Sequence, residues 1–247
     1  TNPQVMAWMM DEFSKIKGYN VPGVVTGKPV EIFGSQGRVI ATSLGGKFIL
    51  DKAINMFGLK KGVLSVAIQG FGNVGGGIAR LLAKDKLYKI VAVSDSKGGI
   101  YAEDGLDESM EELFKHKKDT SSVVGFEDTK KITNKELLQL DVDILIPAAL
   151  ENQITGDNAS NVKAKLILEL ANGPTTPDAD KILDRNDVIV IPDILANAGG
   201  VSVSYLEWVQ NLHGYYWELE TVKEKLEKIM VNALAEVNKV KEEYGTN

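Results

Sequence analysis

The sequence predicts an α/β fold, doubly wound, with a mostly parallel sheet covered by helices on both faces. Three observations predict it. Short apolar runs at 64–69, 90–94, 142–146, 166–170 and 188–192 are near-continuous rather than alternating, as strands buried on both faces must be. Helical patterns stand between them, near 74–87, 107–118, 133–140 and 176–184, and strand–helix alternation is how parallel strands are connected. Finally, the first of these strands empties into Gly70-Phe71-Gly72-Asn73-Val74-Gly75, a G-x-G-x-x-G turn followed by an apolar helix through Ile78, Ala79, Leu81 and Leu82.

Each element has its own local reason. Asn2 caps a first helix, Pro3 suits its first turn, and Val5, Met6, Met9, Met10 and Phe13 make its apolar face. Gly18 to Gly37 is rich in Gly and Pro and reads as an ordered loop or linker. A second helix runs from about Thr42 to Phe57 and ends at Gly58. Gly98-Gly99 reads as a turn after the 90–94 strand, and Thr133-Asn134-Lys135-Glu136 as a capping box. A glycine-containing loop at 196–200 precedes a helix from about Val201. The last helix, 218–244, is amphipathic, with Val222, Leu226, Ile229, Met230, Ala233 and Val237 on a face read as core packing. These elements divide the chain into 1–41, a helix and linker; 42–217, the doubly wound domain; and 218–247, a helix packed on that domain.

Composition removes several classes of function. With 247 residues, 44% hydrophobic and 25% charged, the chain matches an ordinary globular protein of one large domain or two small ones. A net charge of −6 argues against nucleic acid, whose binding draws on excess Lys and Arg. No Cys is present, which excludes disulfides and thiolate metal sites and fits a reducing cytoplasm. The two histidines, His116 and His213, are too few for a histidine-rich metal site. No apolar run has the length of a membrane span, and no secretory signal pattern opens the chain.

The glycine turn carries the chemistry. Gly70 permits the tight turn, Gly72 lets the backbone approach a pyrophosphate, and Gly75 lets helix and strand pack closely. Phe71, Asn73 and Val74 complete the turn, and the helix after it offers free N–H groups to an anion. Twenty residues past Gly75, Asp95 ends the second strand, where a carboxylate accepts hydrogen bonds from an adenosine ribose. Ser96 and Lys97 suit a 2′-phosphate instead, so NAD or NADP remains open, with Asp95 tipping the reading to NAD. The partner predicted is therefore a dinucleotide in a Rossmann-like domain. Asn172 and Asn197 each follow a strand end, the edge where ligands bind, and each can give an acceptor and donors to a carboxamide; a plain turn role is the alternative. Ala148 and Ala149 end the third strand, where small side chains either admit the adenosine half or simply pack closely.

Several stretches together resemble the cofactor-binding half of the glutamate/leucine/phenylalanine/valine dehydrogenase family. They are 1–8 (TNPQVMAW), 21–29 (VPGVVTGKP), 69–75 (QGFGNVG), 147–152 (PAALEN), 171–175 (ANGPT) and 192–201 (PDILANAGGV). The likeness covers essentially the whole chain and is strongest to the glutamate-specific members. It implies an NAD(P)-dependent oxidoreductase of amino-acid metabolism, which deaminates L-glutamate to 2-oxoglutarate and ammonium. It also implies that Arg38 and Thr42, in a G-R-x-x-A-T stretch, lie near the nicotinamide with Asn172 and Asn197. Val201 and Ser204 match positions that touch the substrate.

In this family a first domain supplies a glycine-rich loop with a catalytic lysine, and an aspartate in a Pro-Asp context. Neither motif occurs here, so no catalytic residue is assigned, and the chain reads as a cofactor-binding portion of a larger enzyme, inactive alone. Lys28 is rejected as a substitute because it belongs to a different family motif. Glutamate or 2-oxoglutarate is then a partner only together with the other domain; the intact enzyme is an oligomer and this portion a monomer or weak dimer. Two departures bear on the nicotinamide end: Ser43-Leu44-Gly45-Gly46 stands where the family has Gly-Arg-Gly and an apolar residue, and Leu170 replaces a glycine. The alternatives are a non-catalytic dinucleotide-binding module, natural or engineered as an isolated domain, and a scaffold that those departures have deprived of its site.

Overall fold

The computed structural model describes residues 2–59 and 62–245. Asn2 opens the first helix, α1 (Pro3–Lys17): its side chain accepts the Val5 N–H at 3.0 Å, and Gly18 closes the helix in the left-handed conformation. Within the linker that follows, Pro22–Val24 and Val30–Ile32 each make a single 3-10 turn.

The sheet contains β1 (Leu64–Gln69), β2 (Tyr88–Asp95), β3 (Gly98–Tyr101), β4 (Lys130–Ile132), β5 (Ile144–Pro147), β6 (Leu166–Leu168) and β7 (Ile189–Ile191). Their order is β4-β3-β2-β1-β5-β6-β7. β2, β1, β5, β6 and β7 run parallel, and β3 and β4 are added antiparallel at one edge. The chain moves outward from β1 to β2 and then returns to place β5 on the other side. The carboxyl ends of β1 and β5 therefore flank the topological switch point, where open α/β sheets bind ligands.

The helices are α2 (Ala41–Met56), α3 (Asn73–Leu82), α4 (Met110–Thr120), α5 (Asn134–Leu138), α6 (Pro177–Arg185), α7 (Asp193–Ala196), α8 (Gly199–His213) and α9 (Leu219–Tyr244). They cover both sheet faces, because side chains along each strand alternate between two cores. Val66, Ile68, Ile144, Ile146, Leu166 and Leu168 join α2, α3, α8 and α9 in the larger core. Ala67, Leu145 and Ile167 point the other way, to Leu137 and Leu138 of α5 and Ala179 and Leu183 of α6. Each fully buried Ile or Leu contributes about 1.5–3 kcal/mol, so the strand rows are the main stabilising feature.

The doubly wound class and the order of the helices agree with the sequence pattern, and the predicted Thr133 capping box forms with both of its hydrogen bonds. Differences are local. The turn expected at Gly98-Gly99 falls instead on Ser96 and Lys97, and Gly98 opens β3, which pairs back on β2. The segment 196–200 is not simply a loop: α7 precedes it, and α8 begins at Gly199 rather than at Val201. Along α9 the buried stripe is Val222, Leu226, Met230 and Leu234. Ile229 and Val237, expected on that face, lie beside it and are exposed. This helix packs on α2 and α8, within the same core as the sheet.

Candidate dinucleotide site

The turn between β1 and α3 is built by its glycines. Gly70 has φ +94°, and a side chain there would also meet Ala149 Cβ at 2.8 Å and Ala148 O at 2.9 Å. A Cβ on Gly75 would collide with Gly70 O, so turn and helix close on each other only because both are glycine. Gly72 is different: a Cβ there meets nothing within 4 Å. It is the N-cap of α3 and offers no side-chain cap, so the first helical N–H groups face an open cradle. Asn73 is exposed and Val74 half-buried at the helix start. Phe71 contributes backbone alone, since its ring is buried against Phe114 at 4.6 Å between centroids.

Of the other sequence-predicted residues, Asp95, Ala148, Ala149 and Asn172 stand at or just after the ends of parallel strands, whereas Arg38 stands just before α2, and Thr42, Asn197, Val201 and Ser204 come from helices and their ends. Asp95 ends β2 beside exposed Ser96. Its carboxylate is already engaged, by the Val123 N–H at 2.6 Å, the Lys97 N–H at 2.9 Å and the Ser122 hydroxyl at 3.2 Å. Lys117 Nζ lies 3.8 Å away, and the Asp95 side chain is only 8% exposed. That Lys117 also donates to Phe71 O in the glycine turn, and burial lowers its pKa although Asp95 pulls it back up. Lys117, Ser122 and Val123 were not legible as site residues, because a helix and loop more than twenty positions away deliver them.

Ala148 and Ala149 follow β5 and border Gly70, the close packing that their size allows. After β6 and β7, Asn197 Nδ2 donates to Asn172 Oδ1 at 2.7 Å and reaches Ala171 O at 3.5 Å. The two predicted asparagines are thus one unit. Arg38 and Thr42 come together over the start of α8: a Cβ at Gly200 would lie 2.7 Å from Thr42 Oγ1 and 3.7 Å from an Arg38 terminal nitrogen. Arg38 Nε is buried without a hydrogen-bond partner.

On α8, Val201 is exposed and the Ser204 hydroxyl contacts that of Thr26. One turn further, Glu207 is buried in an ion pair with Lys28 at 2.6 Å, and its other oxygen accepts the Gly27 N–H at 2.8 Å. Lys28 Nζ also donates to Val25 O at 2.7 Å. With these partners inside the protein, Lys28 is a strut holding residues 25–28 against α8. A buried pair of this kind is costly to break from one side. Among the described residues no group of three or more His, Asp or Glu side chains is placed to hold a metal.

A family model described as Glutamate/Leucine/Phenylalanine/Valine dehydrogenase matches residues 34–247. The chain belongs to this family. Among curated relatives, a glutamate dehydrogenase of Thermotoga maritima is 52% identical over 100% of this chain and 59% of that protein. A catabolic NAD-specific glutamate dehydrogenase of Bacillus subtilis is 48% identical over 94% of the chain and 54% of its own length. An NADP-specific glutamate dehydrogenase of Synechocystis is 47% identical, over 100% and 59%. A solved hetero-hexameric glutamate dehydrogenase from Thermus thermophilus superposes with TM-score 0.91 at 36% identity, covering 100% of this chain and 57% of that one. The chain thus spans between half and three fifths of the length of these dehydrogenases.

As a family member the chain departs from pattern at two places, and the structure shows them to be paired. Leu170 Cδ2 lies 2.7 Å from where a Cβ on Gly46 would stand. Leu170 thus occupies the space into which a side chain at position 46 of α2 would project. Ser43, in place of a glycine, donates to Val74 O at 2.9 Å and packs against Gly77 of α3, where a side chain would collide with it. At Ser43, Gly46 and Leu170 the space is therefore filled.

Proposed function

We propose that this chain is the NAD(P)-binding part of a glutamate dehydrogenase, which in the intact enzyme oxidatively deaminates L-glutamate to 2-oxoglutarate and ammonium. The observation that carries the reading is the Gly70–Gly75 turn at the β1–β5 switch point, with its open position at Gly72 and uncapped α3 N-terminus. The names of the relatives supply the substrate. The residues fit a dinucleotide. Gly72 and the N–H groups of Asn73, Val74 and Gly75 would hold the pyrophosphate. Asp95 would meet the adenosine ribose, Ala148 and Ala149 would border the adenosine half, and the Asn172–Asn197 pair with Arg38 and Thr42 would orient the nicotinamide. Bound there, the dinucleotide supplies hydride transfer. The chain's own contribution is to place the ring and shield the edge from water. Val201 and Ser204 would face the substrate. In the same reading the intact enzyme is an oligomer and this chain alone a monomer or weak dimer.

The preference inferred is NAD. Asp95, held by Val123, Ser122 and Lys97 with Lys117 3.8 Å away, supports this, because its carboxylate would repel a 2′-phosphate brought to the end of β2. Calorimetric titration of NAD and NADP into the chain and into Asp95→Asn tests both levels. The parent binds NAD measurably and more tightly than NADP. Asp95→Asn shifts the ratio toward NADP by about tenfold, the worth of one charge-assisted hydrogen bond. An unchanged ratio would make Asp95 a loop anchor only, and no heat with either dinucleotide would sink the whole reading.

A further inference from the structure

Directly after β6, Glu169 is 6% exposed. Its Oε2 accepts the N–H of Asp193, the first residue of α7, at 3.0 Å. Its Oε1 is buried with no hydrogen-bond partner, and so is the neighbouring Thr175 hydroxyl. The charged groups that face it are Asp193 on α7 and Asp180 on α6, both acidic. A half-satisfied buried carboxylate between like charges is a costly group to keep ionised.

What it grips is the nicotinamide end of the candidate site. Asp193 Oδ2 accepts the Gly173 N–H at 2.7 Å and Oδ1 the Ile194 N–H at 2.7 Å. The Asn197 N–H closes α7 on Asp193 O at 2.9 Å, and Asn197 Nδ2 donates to Asn172. Glu169, Asp193, α7, Asn197 and the 171–173 loop are thus linked by one run of hydrogen bonds.

We propose that Glu169 is a positioning residue for the dinucleotide: its carboxylate holds the Asp193 N–H and so seats Asn197 against Asn172, and its protonation loosens that seat. The proposal rests on the reading of Asn172 and Asn197 as nicotinamide contacts. Burial is the main force raising the Glu169 carboxyl, with Asp193 and Asp180 adding repulsion, and together they outweigh Thr175 and the Asp193 N–H and push it up to about 7. The exchange of states therefore falls in the neutral range. The Thr175 hydroxyl beside Oε1 can donate to the carboxylate or accept from the acid, so it serves both states, favouring the ionised one. On protonation, Oε2 becomes a neutral and weaker acceptor for Asp193. Charge-assisted hydrogen bonds are roughly twice as strong as neutral ones, so NAD affinity rises about fivefold between pH 6 and pH 8. For folding the sign is opposite. The ordinary carboxyl value of 4.5 is raised in the fold, so between about 4.5 and about 7 the folded state holds a proton that the unfolded chain has lost, and stability falls as pH rises.

The test follows the Asp193 backbone amide and the Asn197 side-chain amide by ¹⁵N NMR from pH 5.5 to 8.5, with calorimetric NAD titrations at both ends. NAD is the probe because the 2′-phosphate of NADP titrates in the same range. In the parent both signals shift with one inflection near neutrality and affinity rises with pH; in Glu169→Gln the signals are flat and affinity stays at the low value. Asp180→Asn, which removes a facing charge without touching the strand-end loops, moves the inflection downward. Signals that do not titrate, that titrate equally in Glu169→Gln, or that keep their inflection in Asp180→Asn overturn the proposal. So does an NAD affinity that ignores pH while the signals titrate. Titrating signals with no NAD binding at any pH support the Glu169 seat and defeat the dinucleotide reading instead.

Discussion

Gly72 separates binding from folding more cleanly than any other residue in the turn. Gly70 needs its left-handed φ and Gly75 its missing side chain to form the turn at all, so substituting either confuses loss of site with loss of fold. A Cβ at Gly72 meets nothing within 4 Å, and its φ of −95° is open to any residue. Gly72→Val is accordingly expected to keep stability within about 0.5 kcal/mol while abolishing dinucleotide binding, because the branched side chain fills the place of the pyrophosphate. Urea unfolding and a calorimetric titration of the same preparation check the two halves of that statement; full binding by the variant defeats the cradle. The glycines were legible because their spacing is set by backbone geometry within six residues. The engagement of Asp95, the Lys28–Glu207 pair and the Glu169 seat were not, because their partners lie 28, 179 and 24 positions away, and only the fold brings them together.

Among the elements, α2 and the loop after β6 show how a departure from pattern can be neutral. Gly46 and Leu170 fill one volume between them, with Leu170 buried against the place where a helix residue would otherwise project. Leu170→Gly empties that volume and is expected to cost about 2–5 kcal/mol, as large-to-small core changes do. Gly46→Val overfills it, at about 1–3 kcal/mol. Combined, the side chain at 46 refills the space that Leu170 leaves, and the double variant is expected to be more stable than the sum of the single effects by about 1–3 kcal/mol. Chemical denaturation of all four proteins measures this coupling, and simple additivity would show that the two positions do not share a space. The same scale explains which elements could be read in advance. The central strands were visible as unbroken apolar runs. β4 is three residues long and begins with Lys130-Lys131, and β3 begins with two glycines, so neither carries a strand signal of its own. The four-residue α7 is too short for any periodicity to show.

Seen whole, the molecule leaves large apolar side chains exposed in several places, among them Trp8 and Ile16 on α1 and Leu212 and Tyr215 at the end of α8, and some of them stand beside the edge where the strands end. Val39, Ile194 and Val201 are 91%, 82% and 68% exposed, and they stand at or just before the starts of α2, α7 and α8. Thr42 and Ser204 lie on α2 and α8, and Asn197 caps the C-terminal end of α7. In the proposed reading, these three side chains would border the dinucleotide edge. Asn172, Asn197, Ser204 and Thr26 do not titrate near neutral pH. Lys28 is enclosed with Glu207, and Glu169 is turned inward on Asp193. None of these groups is both exposed and basic enough to take a proton from a substrate amine. General acid–base assistance is typically worth about 10²–10⁴-fold, and positioning against the nicotinamide contributes several orders of magnitude more. The family resemblance puts the lysine and aspartate that supply both in a domain whose motifs are absent from these 247 residues. This polypeptide, supplied with NAD and glutamate, is therefore expected to show no glutamate-dependent rise in absorbance at 340 nm, even at NAD concentrations at which calorimetry detects binding. Adding a separately produced first domain of a related glutamate dehydrogenase would restore a trace of activity where the two associate. A clear glutamate-dependent rate from the purified chain alone would defeat the assignment of the acid–base groups to another domain and return attention to Lys28, Glu169 and Asp193.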